Sequence, residues 1–111
     1  QQALIEFLSH GIRYAFPAKR GEITRGIPTA YAAAPLKRLV AAGSDPIPVW
    51  PSALGSSRGY AFLPLYPSAP KAALQDKKLY EILALIDAAR GGRARDRAIA
   101  IEELKKRINS K

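Results

Sequence analysis

Proline is confined to the middle of this chain, and its distribution restricts the available folds more than any other feature of the sequence. All nine prolines lie between Pro17 and Pro70. Because proline lacks a backbone N–H and fixes φ, it is poorly tolerated inside helices and central strands. The sequence therefore predicts an α+β fold, with helices at the two ends of the chain and a small irregular antiparallel sheet between them.

The N-terminal region is predicted to form a helix over residues 1–12 and then a short strand. Gly11 is placed to end the helix, whose apolar residues recur at helical spacing: Leu4, Ile5, Leu8 and Ile12. Apolar residues then alternate with others from Ile12 to Phe16, which is typical of a half-buried strand. Pro17 ends that strand or limits it to a sheet edge.

Residues 18–27 are predicted to form a basic loop or irregular hairpin, because Gly21 and Gly26 are typical of bends. Two interpretations stay open for this segment. It is either a wing that lays cations along nucleic-acid phosphate, or a solvated hairpin tip that carries unpaired charge. Pro28 then opens a short helical turn, which Pro35 stops.

The rest of the middle region, up to residue 66, is predicted to be loop with one further strand. Residues 36–40 are apolar but too few to assign to helix or strand, and residues 41–51 are predicted to be an extended loop. Trp50, the single tryptophan, is predicted to anchor the core. After a turn-rich connection at residues 52–58, residues 59–66 are predicted to form a strand that Pro64 limits to an edge.

The last third, residues 67–111, is predicted to form an antiparallel helical hairpin that completes a single domain. Ser68 or Asp76 is placed to cap the first helix, and Gly91 with Gly92 ends it. The second helix begins at about Ala94. Both helices have apolar residues at helical spacing: Leu79, Ile82, Leu83 and Ile86 in the first, and Ala98, Ile101, Leu104 and Ile108 in the second.

The sequence shows no catalytic apparatus. The chain has no cysteine, which excludes disulfides and thiolate chemistry, and it has one histidine, His10. It contains no nucleophile elbow, no phosphate-cradling glycine loop and no metal-ligand spacing. The sequence therefore predicts a protein that is not an enzyme and that uses no metal or other cofactor.

Positive charge dominates the composition, with eighteen Lys and Arg against nine Asp and Glu and a formal charge of +9. An excess of this size favours a polyanionic partner. Two groups are the candidate nucleic-acid-binding residues, namely Lys19, Arg20 and Arg25, and then Arg90, Arg93, Arg95 and Arg97. Guanidinium groups suit phosphate geometry, but charge alone leaves both DNA and an acidic protein open as partners. No charge-free run is long enough to cross a membrane, and we expect a cytoplasmic protein without membrane contacts.

Three stretches of the chain together resemble a poorly characterised family of bacterial proteins. They are LIEFLSHGIRYAFPAKRGEITRGIPTAYAAAPL, PVWP and LYEILALIDAARGGRARDRAIAIEELKKRI. In those longer proteins a similar segment follows an N-terminal winged helix-turn-helix region of the MarR-like kind. The resemblance implies that this chain is the C-terminal portion of such a protein, that the main DNA-reading helix lies upstream, and that the protein takes part in transcription regulation.

These observations together predict a non-enzymatic accessory domain, for assembly or effector response, of a bacterial DNA-binding transcriptional regulator. Its basic surface would contact DNA phosphate. The alternative is a protein-interaction module, antitoxin-like or a scaffold, whose basic surface binds an acidic protein partner. A homodimer is compatible with either interpretation.

Overall fold

The computed structural model describes residues 2–7, 11–12, 20–39, 46–91 and 94–109, and it confirms an α+β fold. The helices are α1 (Gln2–Glu6), α2 (Leu36–Leu39), α3 (Ala69–Gln75), α4 (Lys77–Gly91) and α5 (Ala94–Asn109). The strands are β1 (Arg20–Pro28), β2 (Ile47–Pro51) and β3 (Ser57–Phe62), and a 3₁₀ turn at Ala30–Ala32 follows β1. Within the described ranges, every helix is too short or too polar to traverse a bilayer.

The N-terminal predictions fall only partly on described residues. The predicted helix covers residues 1–12, and α1 occupies Gln2–Glu6 within that range. Residues 8–10, which include His10, lie outside the described residues, and so do residues 13–19, which carry most of the predicted first strand. Ile12 is described, and its side chain is buried in the core.

β1 takes the place of the predicted basic loop. Residues 20–28 form a nine-residue strand that pairs antiparallel with both β2 and β3. The prediction of a loop or hairpin tip over residues 18–27 is therefore wrong for its described part, residues 20–27. Hydrogen bonding on both edges holds this segment extended, and its irregularity is limited to a register shift between Arg20 and Ile23.

The sheet is mixed, whereas the sequence predicts an antiparallel one. Since β2 and β3 are both antiparallel to β1, they run parallel to each other, and Ile47 pairs with Gly59. Each of these three strands pairs with the other two, so the sheet closes on itself. β2 also lies within residues 41–51, so the prediction of a loop there is wrong for residues 47–51. A strand was not expected because this segment contains two prolines, which strands rarely tolerate.

Two glycines allow the strands to approach so closely. A Cβ atom on Gly26 would lie 2.1 Å from the carbonyl oxygen of Trp50, and one on Gly59 would lie 1.9 Å from that of Ile47. Carbon and oxygen atoms that are not bonded do not approach to these distances, so any side chain at either position would push the strands apart. Gly26 therefore permits close strand packing and does not mark a bend.

α4 is the central helix of the core, because it contributes to two apolar clusters. In the first it packs against α5 and the 3₁₀ turn, and the buried members are Ile12, Ala30, Leu36, Leu85, Ala88, Ala89, Ala100 and Leu104. In the second it packs against the sheet and α3, and the buried members are Ile27, Trp50, Ala69, Ala73 and Leu83. Trp50 is 1% exposed, which confirms its prediction as a core anchor.

The C-terminal hairpin of α4 and α5 is also confirmed. Asp76 caps α4, since its Oδ1 accepts hydrogen bonds from the backbone N–H groups of Lys78 at 3.1 Å and Leu79 at 3.3 Å. Ser68 precedes α3 and makes no side-chain cap. The prediction of a strand over residues 59–66 is confirmed in part, because β3 ends at Phe62, before Pro64.

Candidate nucleic-acid interface

The residues predicted to bind nucleic acid occupy different environments. Arg20 begins β1, while Lys19 and Arg93 lie outside the described residues. Arg25 and Arg95 are exposed, Arg97 is half-buried, and Arg90 is buried. Within the first group, Arg25 is therefore the residue whose side chain is described, and that side chain is exposed.

Arg90 is an internal ion-pair partner, in contrast to its prediction as a phosphate contact. The residue is 7% exposed, and its Nε donates to Asp87 Oδ1 at 2.9 Å. Its Nη2 donates to the carbonyl oxygen of Leu63 at 2.6 Å, and the guanidinium lies 4.9 Å from the centre of the Phe62 ring. The position of Arg90 near the end of α4 is visible in the sequence, but the packing of the chain after β3 over this arginine is not. The Arg90 guanidinium is paired with a buried carboxylate, so Arg90 is not part of the candidate interface.

Asp87 connects Arg90 to the sheet. It is 1% exposed, and its Oδ2 accepts hydrogen bonds from Thr29 Oγ1 at 2.6 Å and from Trp50 Nε1 at 2.7 Å. Burial raises the pKa of Asp87, while the charge of Arg90 and the hydrogen bonds from Thr29, Trp50 and Arg90 stabilise the carboxylate and oppose that rise. One side chain of α4 thus bonds to Thr29, which directly follows β1, and to Trp50 of β2.

The end of β1 is fixed by further hydrogen bonds. The backbone N–H of Thr29 donates to the carbonyl oxygen of Pro48 at 3.1 Å, and the Tyr80 hydroxyl donates to that of Pro28 at 2.5 Å. Ala30 follows with a φ of 54°, a left-handed conformation that costs about 1 kcal/mol in a residue with a Cβ. The hydrogen bonds to Pro28 and Thr29 fix the chain directly before this residue.

Arg25 and Arg58 are directly opposite each other in the antiparallel pair of β1 and β3. Both side chains are exposed, and opposed Cβ atoms in such a pair are about 5 Å apart, so like charges there destabilise the sheet. Arg25 Nη2 donates to the carbonyl oxygen of Ala53 at 3.2 Å. No carboxylate among the described residues forms an ion pair with either guanidinium. The two guanidinium groups therefore lie on opposed, exposed positions of the sheet without a carboxylate partner among the described residues.

Ile23 and Tyr60 occupy the neighbouring position on the same face of the sheet. They are cross-strand partners, and each lies two residues from one of the two arginines, which places all four side chains on one face. Ile23 is 52% exposed and Tyr60 is half-buried. Two cations beside an aromatic ring on an exposed sheet face is an arrangement that nucleic-acid-binding proteins use to contact phosphates and bases.

The second predicted group of arginines is divided by the geometry of α5. Arg95 and Arg97 are two residues apart on a helix, so their side chains point about 200° apart around its axis. Asp96 lies between them and is 1% exposed. Arg95 and Arg97 therefore face different directions, unlike Arg25 and Arg58, which share one face of the sheet.

Arg58 is not among the residues predicted to bind nucleic acid, because it lies in the predicted turn-rich connection at residues 52–58. The importance of Arg58 comes from its register against Arg25, and that register joins two segments that are far apart in sequence. No local pattern at either position indicates the pairing. Cross-strand partners are decided by the closure of the sheet.

The chain matches no protein-family model, no curated protein and no solved structure. In the part of the chain that the structure describes, no group of three or more His, Cys, Asp or Glu side chains could hold a metal ion. The resemblance to MarR-like proteins stays an expectation from the sequence. Function must therefore be inferred from the geometry of the described residues.

Proposed function

We propose that this chain is a non-enzymatic accessory domain of a bacterial DNA-binding regulator and that it contacts nucleic-acid phosphate. The contact surface is the β1–β3 face, which consists of Ile23, Arg25, Arg58 and Tyr60. The observation that carries the proposal is the direct cross-strand pairing of Arg25 with Arg58. We place the protein in the cytoplasm, where DNA is accessible to it.

The arginine pair is favourable only when an anion is present. Like charges directly opposed in a sheet cost stability, and that cost is recovered when a phosphate lies between them. A guanidinium donates two parallel hydrogen bonds to phosphate oxygens, and a DNA duplex carries one negative charge for about every 1.7 Å of its axis. The β1–β3 face therefore suits a repeating polyanion.

The overall charge supports the same partner. A formal charge of +9 attracts polyanions over long distances and raises the rate at which they meet the domain. Phosphate contacts of this kind position a protein on DNA without reading sequence. The role that we assign is accordingly ancillary, with base recognition left to another part of the regulator.

Titration of labelled duplex DNA at 50 mM and 200 mM NaCl tests the proposal, with fluorescence anisotropy as the readout. We expect affinity to fall as salt rises. The double variant Arg25→Ser with Arg58→Ser should bind more weakly, and its slope of log K against log salt concentration should be shallower by about 1.8, because two phosphate contacts are lost.

The matched control is Lys71→Ser with Lys78→Ser, which removes two exposed cations from α3 and α4 and leaves the sheet intact. This variant should keep a steeper salt slope than the arginine variant. Equal slopes in the two variants, or binding that does not depend on salt, would show that the β1–β3 face does not contact phosphate.

An acidic protein is the second candidate partner, and the exposed apolar side chains beside the arginine pair favour it. Ile23 is 52% exposed, and Leu54, next to the residue that accepts the Arg25 hydrogen bond, is 68% exposed. Apolar area at the centre of an interface is typical of protein partners. Leu54→Ser separates the candidates, because Leu54 lies outside the β1–β3 face. The substitution should weaken capture of an acidic protein and leave the affinity for duplex DNA nearly unchanged.

A further inference from the structure

A cavity of about 380 Å³ opens between the 3₁₀ turn and the start of α4. Its lining combines a small apolar surface, which consists of Pro28, residues 32–34 and the Tyr80 ring, with the charged side chains of Lys37, Lys77 and Glu81. This volume is within the range of sites that bind small molecules, which are mostly apolar with a few polar groups that orient the ligand.

The charges of this cavity are not balanced. Lys37 belongs to α2 and Lys77 begins α4, and neither forms an ion pair with a carboxylate among the described residues. Glu81 does not compensate them, because its Oε1 lies 2.7 Å from Arg107 Nη2 and is committed to that bond. The cavity is therefore lined by two lysines from two separate helices, and neither charge is neutralised by a carboxylate among the described residues.

The apolar wall of the cavity is preformed. Tyr80 donates a hydrogen bond to the carbonyl oxygen of Pro28, and its ring lies 5.5 Å from that of the buried Trp50. Burial raises the pKa of Tyr80 above its ordinary value of 10, so the hydroxyl stays protonated and neutral near pH 7. Tyr80 thus gives the cavity a fixed ring and adds no negative charge.

We propose that this cavity binds a small organic phosphate monoester. The phosphate lies between Lys37 and Lys77, and the apolar body of the ligand lies against residues 32–34 and Tyr80. A phosphate monoester near neutral pH carries about two negative charges, which matches two ammonium groups, and lysine binds phosphate as a point charge. A monocarboxylate would leave one ammonium group uncompensated. This proposal is independent of DNA binding by the β1–β3 face.

Calorimetric titration with phenyl phosphate tests the proposal, with benzoate and inorganic phosphate as comparisons. Phenyl phosphate should bind saturably and most tightly of the three, since it supplies both the dianion and the apolar ring. Emission from Trp50 gives a second readout, because that residue is the single tryptophan and packs on Tyr80. Benzoate that binds as tightly as phenyl phosphate overturns the dianion requirement. No saturable binding at about 10 mM, far above the range in which most enzyme and receptor ligands act, overturns the site.

Charge variants locate the bound phosphate. Lys37→Ser with Lys77→Ser should weaken phenyl phosphate at least about tenfold, because both charge-assisted contacts are lost. The control Lys71→Ser with Lys78→Ser removes the same charge from outside the cavity lining and should change the affinity less than about twofold. Equal effects in the two pairs would mean that the ligand responds only to net charge, and the site would be rejected.

The Glu81–Arg107 ion pair provides a third test, in which two double variants of equal net charge are compared. Arg107→Gln releases the Glu81 carboxylate beside the cavity, so phenyl phosphate should bind more weakly. Adding Glu81→Gln to that variant removes the released charge and should restore the affinity, whereas adding Glu102→Gln restores the same net charge outside the cavity lining and should not. Equal affinities in these two double variants, with unchanged circular dichroism, would contradict this arrangement of charges.

Discussion

Trp50 and Asp87 meet in the core, where the indole Nε1 donates to the Asp87 Oδ2 atom at 2.7 Å and both residues are 1% exposed. This bond satisfies the one polar atom of the tryptophan side chain and joins β2 to α4. The same carboxylate also accepts hydrogen bonds from Thr29 and Arg90. A single buried aspartate therefore connects the sheet to α4, and its substitution should lower the stability of the whole domain.

Asp87→Asn should lower the free energy of unfolding by about 3 kcal/mol, because the buried Arg90 guanidinium would lose the carboxylate that lies 2.9 Å from it. Urea denaturation followed by far-ultraviolet circular dichroism measures the change. The second variant, Asp87→Asn with Arg90→Met, should recover part of the lost stability, since it removes the buried charge.

The control for Asp87 is Glu102→Gln, because the Glu102 side chain is 67% exposed and its Oε1 lies 3.6 Å from Lys105 Nζ. Exposed ion pairs of this kind contribute little, so its unfolding free energy should change by less than about 0.5 kcal/mol. A loss below about 1 kcal/mol in Asp87→Asn itself would contradict the role given to the buried ion pair.

Arg58→Glu should stabilise the isolated domain at low salt by up to about 1 kcal/mol, because it replaces a cross-strand repulsion with an attraction to Arg25. The midpoint of urea unfolding, compared at 20 mM and 500 mM NaCl, measures this effect. High salt should reduce the gain, since both side chains are exposed and screened. The same variant should bind DNA less well, and destabilisation at low salt would show that the two guanidinium groups do not repel each other.

The contribution of Glu103 to the stability of the folded state should be lost at acidic pH. The hydrogen bond from Lys106, at 3.1 Å, together with the charges of Lys106 and Arg107, holds the pKa of Glu103 below its ordinary value of 4.5. The folded state therefore binds its proton less readily than the unfolded state. The resulting stability is fully present above about pH 5 and is lost as the pH falls through 4.5 and then through the lower folded value.

Glu103→Gln should accordingly lower the free energy of unfolding by less than about 1 kcal/mol at pH 7, because these contacts are partly exposed. Below the pH at which Glu103 is protonated in the folded protein, the substitution should not change the free energy of unfolding. Urea unfolding at several pH values between 7 and 2.5 checks the difference. A gap between variant and parent that stays constant over this range would mean that Glu103 acts through packing and not through its charge.

The sequence indicated the helical parts of the fold because their signals are local. Apolar residues three and four positions apart predict α4 and α5, and the placement of Asp76 before that stripe predicts the cap. Trp50 was predicted to be buried because a large apolar ring favours the core. The partner of its indole nitrogen, Asp87, could not be predicted, because helix periodicity does not say what a polar residue on the buried side will meet.

By itself, the sequence determined the fold class, the two long C-terminal helices and the surplus of positive charge. Only the tertiary structure decided that the glycine-containing segment before Pro28 is a central strand, that β2 and β3 are parallel, and that Arg25 faces Arg58. The physical reason is that helical hydrogen bonds join residues four positions apart, whereas strand pairs join residues whose separation the chain does not fix. The same closure of the sheet exposed Arg25 and Arg58, while the packing of the chain around α4 buried Arg90.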